Sequence, residues 1–301
     1  MKNLIGERAI PEMIYYRPRK LNEALQYLRD LKDCRIVAGA TDFIPGVRSG
    51  KMLLPPGFPL VDISALGELS YIREKGGEIR IGALAPLADI EASDLIQKKA
   101  PLLAEAIGQI ASPQIRNRGT IAGNLCNASP ASDSATALLA CNAAVQLQSL
   151  SGQRQVPLPQ FFLGPGRSVL RQDEMVTEVR VPVQKGIGCF VKLGRREAFT
   201  LSIISVAAMI ATQNGKFEDV RIALGAVAPT PMRASGAEGF LIGQNAEEGA
   251  IHKAAAMVAD EVRPISDARA SAAYRKDMAR VLTERAIRSC LGLPSPAILP
   301  A

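Results

Sequence analysis

Two stretches of small residues carry most of the chemistry this sequence can offer. The first runs Ile36-Val37-Ala38-Gly39-Ala40-Thr41-Asp42 and leads into Phe43. The second runs Gln114-Ile115-Arg116-Asn117-Arg118-Gly119-Thr120-Ile121-Ala122-Gly123-Asn124-Leu125-Cys126-Asn127-Ala128-Ser129-Pro130-Ala131-Ser132-Asp133. Each leaves an apolar run and enters residues that are small or end in a hydroxyl or amide. Small residues let backbone N–H groups approach a ligand closely, and Thr and Asn add side-chain donors. Successive N–H groups in such turns form a nest suited to phosphate oxygens. Two nests about 80 residues apart in the chain suit a pyrophosphate gripped from both sides. The same residues also suit two tight turns that bind nothing, because Gly-rich turns are common.

Other chemistries fail by inspection. His252 is the only histidine in 301 residues, so no two-histidine metal site can be built and a His-based triad has one candidate. Cys34, Cys126, Cys141, Cys189 and Cys290 show no C-x-x-C spacing, so they supply neither cluster nor zinc ligands. They read as small buried hydrophobes, not as a secreted disulfide framework. There is no G-x-x-x-x-G-K-[ST] and no G-x-S-x-G, and Gly186-Ile187-Gly188 lacks the third glycine of a dinucleotide fingerprint. Lys and Arg number 36 against 29 Asp and Glu, a net charge of +7 that is scattered, whereas nucleic-acid binders concentrate it. Residues 1–11 lack the apolar stretch of a signal peptide, and the longest apolar run, 203–211, is too short to span a bilayer. A soluble cytoplasmic protein is expected.

The elements that must position the two stretches follow from periodicity. Residues 13–16 and 35–38 read as strands around a helix whose apolar positions are Leu21, Ala24, Leu25, Leu28 and Leu31. A strand at 60–63 precedes a hairpin in which Gly76-Gly77 joins 71–75 to 78–82. A helix over 102–111 stops before Pro113, and Ser132-Asp133 caps another over 135–141. Strands at 144–150 and 175–181 lead to a boundary near 182–188. Beyond it, Asn214-Gly215 joins two strands at 203–212 and 217–227, and helices follow at 246–262 and 272–291. There, runs of strands followed by runs of helices indicate an α+β domain, not a doubly wound parallel sheet.

The twenty-residue block at 114–133 resembles the FAD-binding (medium) subunit of the molybdenum hydroxylases, the relatives of xanthine dehydrogenase and carbon monoxide dehydrogenase. Ala38-Gly39-Ala40-Thr41-Asp42 is similar to that family's first flavin loop. Further similarity lies at Ile81-Gly82-Ala83, Phe161-Phe162, Asp173-Glu174-Met175-Val176 and Phe190-Val191-Lys192, nearly end to end. The resemblance implies a vanillyl-alcohol-oxidase-like two-subdomain FAD-binding domain over residues 1–182, with subdomains at about 1–60 and 61–182. It implies a C-terminal α+β domain over 183–295, a three-stranded antiparallel sheet plus helices.

Carried over residue by residue, the resemblance implies cofactor contacts at Ile36, Val37, Ala38, Gly39, Ala40, Thr41, Asp42 and Phe43 around the pyrophosphate. Thr120, Ile121, Ala122, Gly123 and Asn124 would form the second phosphate turn, and Asp133 would hold adenosine-side hydroxyls. Ile110 falls near the flavin, and Val176 and Lys192 align with further contacts. Ala40 and Ala122 stand where the family often has glycine, which matters only if either needs positive φ. The chain also lacks the cysteine-bearing insertion of hydroxybenzoyl-CoA reductases. Arg116 and Arg118 can face phosphate, solvent or a partner.

What the resemblance implies about function is an FAD-dependent oxidoreductase subunit, catalytic only within a complex. It would receive electrons from iron–sulfur clusters on a small subunit and pass them to NAD or another acceptor. A molybdopterin cofactor would sit on a large subunit, in an expected dimer of heterotrimers. No catalytic acid or base and no metal ligand is expected in this chain. The alternatives are a free-standing FAD oxidase or dehydrogenase with its own substrate pocket, and a non-catalytic module binding an anionic ligand or nucleic acid.

Overall fold

The computed structural model describes residues 9–196 and 199–294. Most of the N-terminal stretch discussed above as lacking a signal peptide, and residue 295 at the expected end of the second domain, lie outside them. The chain opens with β1 (Met13–Tyr16), α1 (Leu21–Asp30), β2 (Arg35–Val37), α2 (Phe43–Arg48) and β3 (Phe58–Asp62). These strands form a parallel three-stranded sheet in the order β1-β3-β2. Helix α1 buries Ala24, Leu25 and Leu28, the stripe that its i, i+3, i+4 spacing dictates. Val37, Phe43, Val47, Phe58 and Leu60 make a small separate core on which β2 ends.

Next come β4 (Ile72–Lys75), β5 (Glu78–Gly82), α3 (Leu87–Ala92), α4 (Asp94–Lys99), α5 (Pro101–Gly108), α6 (Pro113–Arg118), α7 (Ile121–Cys126) and α8 (Asp133–Ala140). The chain continues through β6 (Ala144–Ser149), β7 (Gly152–Pro157), β8 (Phe162–Gly164), β9 (Arg167–Ser168) and β10 (Met175–Pro182). An antiparallel sheet in the order β4-β5-β10-β6-β7 carries Ile79, Ile81, Val145, Leu147, Val179 and Val181 into the main core, with α7 against β10. Gly76 and Gly77 both take positive φ in the β4–β5 turn, as a two-residue turn of this kind requires. Strand β7 had no sequence signal, because Gly152-Gln153-Arg154-Gln155 is polar on both faces. It forms because it borders β6 at the sheet edge.

The last third comprises β11 (Ile187–Leu193), β12 (Ile204–Gln213), β13 (Lys216–Gly225), β14 (Met232–Arg233), α9 (Ser235–Leu241), α10 (Glu248–Glu261) and α11 (Ala272–Cys290). The sheet order is β11-β12-β13-β14, all antiparallel. The expected three-stranded sheet is thus corrected to four strands. After Pro229 and Pro231 the chain turns back and pairs Met232 and Arg233 with Leu224 and Ala223, too briefly for a periodic signal. One face of this sheet, with Val206, Ala208, Ile222 and Leu224, packs on α9 and α11, and α10 packs on those two helices. The other face sends Phe190, Ala207, Met209 and Ala223 into the main core against α5 and α8. Burial on both faces explains why residues 203–211 form a nearly continuous apolar run. The exception, Ser205, points at Thr136 of α8.

Candidate cofactor site

The first loop leaves the C-terminal end of β2, where parallel strands characteristically present ligand sites. Five successive N–H groups, residues 39–43, have no intramolecular acceptor among the described residues. Such an open row is costly to leave dry and suits an anion. Ala40 takes φ +60, so the left-handed backbone expected of glycine is present with a methyl group on it. Phe43 and Val47 anchor α2 in the small core behind the row.

Gly39 explains why the two stretches needed small residues. A β-carbon there would overlap the carbonyl oxygen of Arg118, and one on Gly119 would lie 3.6 Å from the Thr41 hydroxyl. The two stretches therefore touch through their backbones. The second stretch is organised differently from the first. Ser112 and Thr120 cap α6 and α7, their hydroxyls accepting from the N–H groups of Ile115 and Gly123. The N–H groups of Ile121 and Ala122 go to the carbonyls of Ala85 and Ala83, and that of Asn124 goes to Thr120. The second open nest read from the sequence is corrected accordingly: hydroxyl caps turned it into helix starts whose N–H groups have acceptors. Ala122 sits in α7 without positive φ, so alanine is at home there. The Asn124 side-chain oxygen accepts from Ser132 (2.6 Å) and Ser134 (2.7 Å), which leaves its NH2 as the free end.

Asp133 and Lys192 are brought together. The Lys192 ammonium donates to Asp133 Oδ2 at 2.8 Å and to the Gln109 carbonyl at 2.7 Å, while Ser202 donates to Asp133 Oδ1 at 2.6 Å. Burial pushes the Asp133 carboxyl above its ordinary range, and the Lys192 charge, with the Ser202 and Ser205 hydroxyls, pulls against that shift. Ile110, beside Gln109, is half-buried against the main core. Val176 lies on β10 and is 3% exposed, so its side chain serves the core.

Arg116 and Arg118 separate. Arg116 is held by Glu91 and the Ile110 carbonyl, whereas the Arg118 side chain is exposed. Sequence reasoning missed Glu91, Gln109 and Ser202, whose roles arise from tertiary proximity with no local motif. It expected buried cysteines, and Cys141, Cys189 and Cys290 are buried, but Cys126 on α7 is exposed. His252 is exposed on α10 near Glu284. Among the described residues no group of three or more His, Cys, Asp or Glu side chains could hold a metal ion, and no helix is long and apolar enough to cross a membrane.

An open N–H row at a parallel strand end, with a second small-residue segment packed against it, is an arrangement suited to an anionic ligand. Residues 9–184 match the family described as the FAD binding domain in molybdopterin dehydrogenase, and residues 189–290 match the CO dehydrogenase flavoprotein C-terminal domain. The chain belongs to this family, the FAD-binding medium subunits of the molybdenum hydroxylases, which are subunits of oxidoreductases. It is 36% identical to the glyceraldehyde dehydrogenase medium chain of Sulfolobus acidocaldarius, over 92% of this chain and 98% of that one. It is 32% identical to the carbon monoxide dehydrogenase medium chain of Hydrogenophaga pseudoflava, over 93% and 97%. The solved carbon monoxide dehydrogenase from that organism superposes with a TM-score of 0.90 at 32% identity, covering 95% of this chain and 99% of that one. Quinoline 2-oxidoreductase from Pseudomonas putida gives 0.89 at 28% identity, covering 95% and 99%.

Proposed function

We propose that this chain is the FAD-carrying electron-transfer subunit of a multi-subunit molybdenum hydroxylase. The observation that carries this reading is the row of five N–H groups at 39–43 that have no acceptor among the described residues, set against Arg118 and Gly119 of the second segment. The residues fit the group: the row offers donors to a pyrophosphate, and the Asn124 amide offers another. Asp133, held rigid by Lys192 and Ser202, is assigned to the adenosine-side hydroxyls. Ile110 is assigned to the flavin side, and Lys192 to positive charge near the cofactor. When bound, FAD supplies the redox chemistry that links iron–sulfur clusters of a small subunit to NAD or another acceptor.

The protein's own part is to bind, orient and exclude water. That needs no catalytic acid or base, and none is assigned. The proposal includes a large molybdopterin subunit, a dimer of heterotrimers, a cytoplasmic location, and a two-subdomain vanillyl-alcohol-oxidase-like unit ending near residue 182. The separate parallel sheet of β1–β3 and antiparallel sheet of β4, β5, β10, β6 and β7 support that division. Affinity purification of the tagged chain from its native host tests the assignment. Recovery with an iron–sulfur chain and a molybdopterin chain is expected. A lone chain that turns over a small molecule with oxygen at ordinary enzyme rates would reject it.

A further inference from the structure

We infer that Arg116 is a positioning residue for the cofactor, acting through Ile110 and the Gly39–Arg118 junction without touching the ligand. This rests on the proposal that the chain binds FAD. Arg116 lies on α6, and its side chain is 12% exposed. Its Nε donates to Glu91 Oε2 at 2.7 Å, its Nη2 to Glu91 Oε1 at 3.4 Å, and its Nη1 to the Ile110 carbonyl at 3.0 Å. One planar guanidinium thus joins α3, α6 and the segment leaving α5.

The end of α5 shows why a cation is needed there. A helix C-terminus leaves carbonyls without intrahelical donors, and cations are favoured beside them. Two consecutive carbonyls just past α5 each meet a cation: Gln109 takes Lys192 and Ile110 takes Arg116. The Glu91 carboxylate that orients Arg116 also packs on Gly108, where a β-carbon would lie 3.1 Å from Glu91 Oε1. Two residues beyond Arg116, the Arg118 carbonyl fills the space that a Gly39 side chain would need. The Leu87 N–H at the start of α3 holds the Gly119 carbonyl at 2.9 Å. Glu91 and Leu87 of α3 therefore both hold the C-terminal end of α6, and Arg116 ties that clamp to Ile110. Loss of Arg116 frees Ile110 and the end of α5 from the loop pair, leaving the open N–H row intact.

The test uses the full-length chain stripped of flavin, titrated with FAD by flavin fluorescence, with visible circular dichroism recorded at saturation. Arg116→Gln and Glu91→Gln are each expected to weaken binding by about tenfold. The double variant is expected to be no worse than either single one, because both remove the same clamp. The saturated variants are expected to share a changed flavin dichroism, which a loss of fold stability alone would not produce. Arg116→Lys, which cannot span Glu91 and Ile110 together, is expected to fall between wild type and Arg116→Gln. Wild-type affinity and dichroism in both glutamine variants would overturn the inference. So would weakened binding that merely follows the unfolding midpoint with unchanged dichroism. Failure of the wild-type chain to bind FAD would instead overturn the reading on which the inference rests.

Discussion

Lys192 of β11 reaches across to the first turn of α8 and places its ammonium 2.8 Å from Asp133 Oδ2, with both side chains at most 7% exposed. One residue comes from the last sheet and the other from the first helix after the second small-residue stretch. The pair locks together two regions about 60 residues apart in the chain, beside Gln109 and Ile110.

Removing one member strands the other's charge in the interior. Lys192→Met or Asp133→Asn alone is expected to destabilise the chain by about 3–5 kcal/mol, with the double variant costing less than the sum. Urea unfolding of the four proteins measures this, and additive losses would show that the charges do not couple. The pH dependence has a definite sign. Without Lys192 the Asp133 carboxyl holds its proton to higher pH than in wild type, so the native state binds more protons than the unfolded chain. Stability of Lys192→Met is therefore expected to fall as pH rises, and its deficit to be smaller near about pH 5 than near about pH 8.

Gly39 and Gly67 make a matched comparison. A side chain on Gly39 collides with the Arg118 backbone, whereas Gly67 has open space and no positive φ. Gly39→Ala is expected to yield chain largely free of flavin, and Gly67→Ala chain with a full complement. Flavin absorbance per polypeptide after purification reads the difference.

The two alanines that replace familial glycines are expected to answer with opposite signs. Ala40 holds φ +60, so Ala40→Gly relieves backbone strain of about 1 kcal/mol, less what glycine adds to the freedom of the unfolded chain. Ala122 lies in α7 with ordinary helical backbone, and Ala122→Gly is expected to cost about 0.5–1 kcal/mol. Thermal unfolding of the two variants distinguishes them.

Much of this was legible in the sequence. Asn214-Gly215 and Gly76-Gly77 marked their hairpins because only positive φ closes such turns, and both pairs have it. Leu21, Ala24, Leu25 and Leu28 marked α1, because an amphipathic stripe is a local property. The segment 114–133 reads as a nest or a tight turn because its residues are small and polar. Ser112 and Thr120 cap helices there, and the first N–H groups of α7 find the Ala83 and Ala85 carbonyls of another element. Glu91, Gln109 and Ser202 were invisible for the same reason: nothing local says which carboxylate or carbonyl will meet Arg116, Lys192 or Asp133.

Asp267 is expected to contribute to acid stability in the C-terminal region. Arg269 foremost, and Arg275 with it, holds the carboxyl well below the usual range of 3.8. A depressed native value means that the unfolded chain binds the proton first. The stabilisation is therefore present above the ordinary carboxylate value and is lost as pH falls toward the native one. Asp267→Asn is expected to lower the thermal midpoint at neutral pH, with the gap to wild type closing below pH 3.8. A gap that is constant across that range would deny Asp267 this role.

The row at 39–43 is proposed to bind the pyrophosphate of FAD. Calorimetric titration of the flavin-free full-length chain with FAD, with riboflavin, and with ADP tests it most directly. Tight binding of FAD at one site per chain is expected, with measurable competition by ADP and far weaker binding of riboflavin, which has no phosphate. Equal affinity for FAD and riboflavin, or no uptake of FAD, would contradict it.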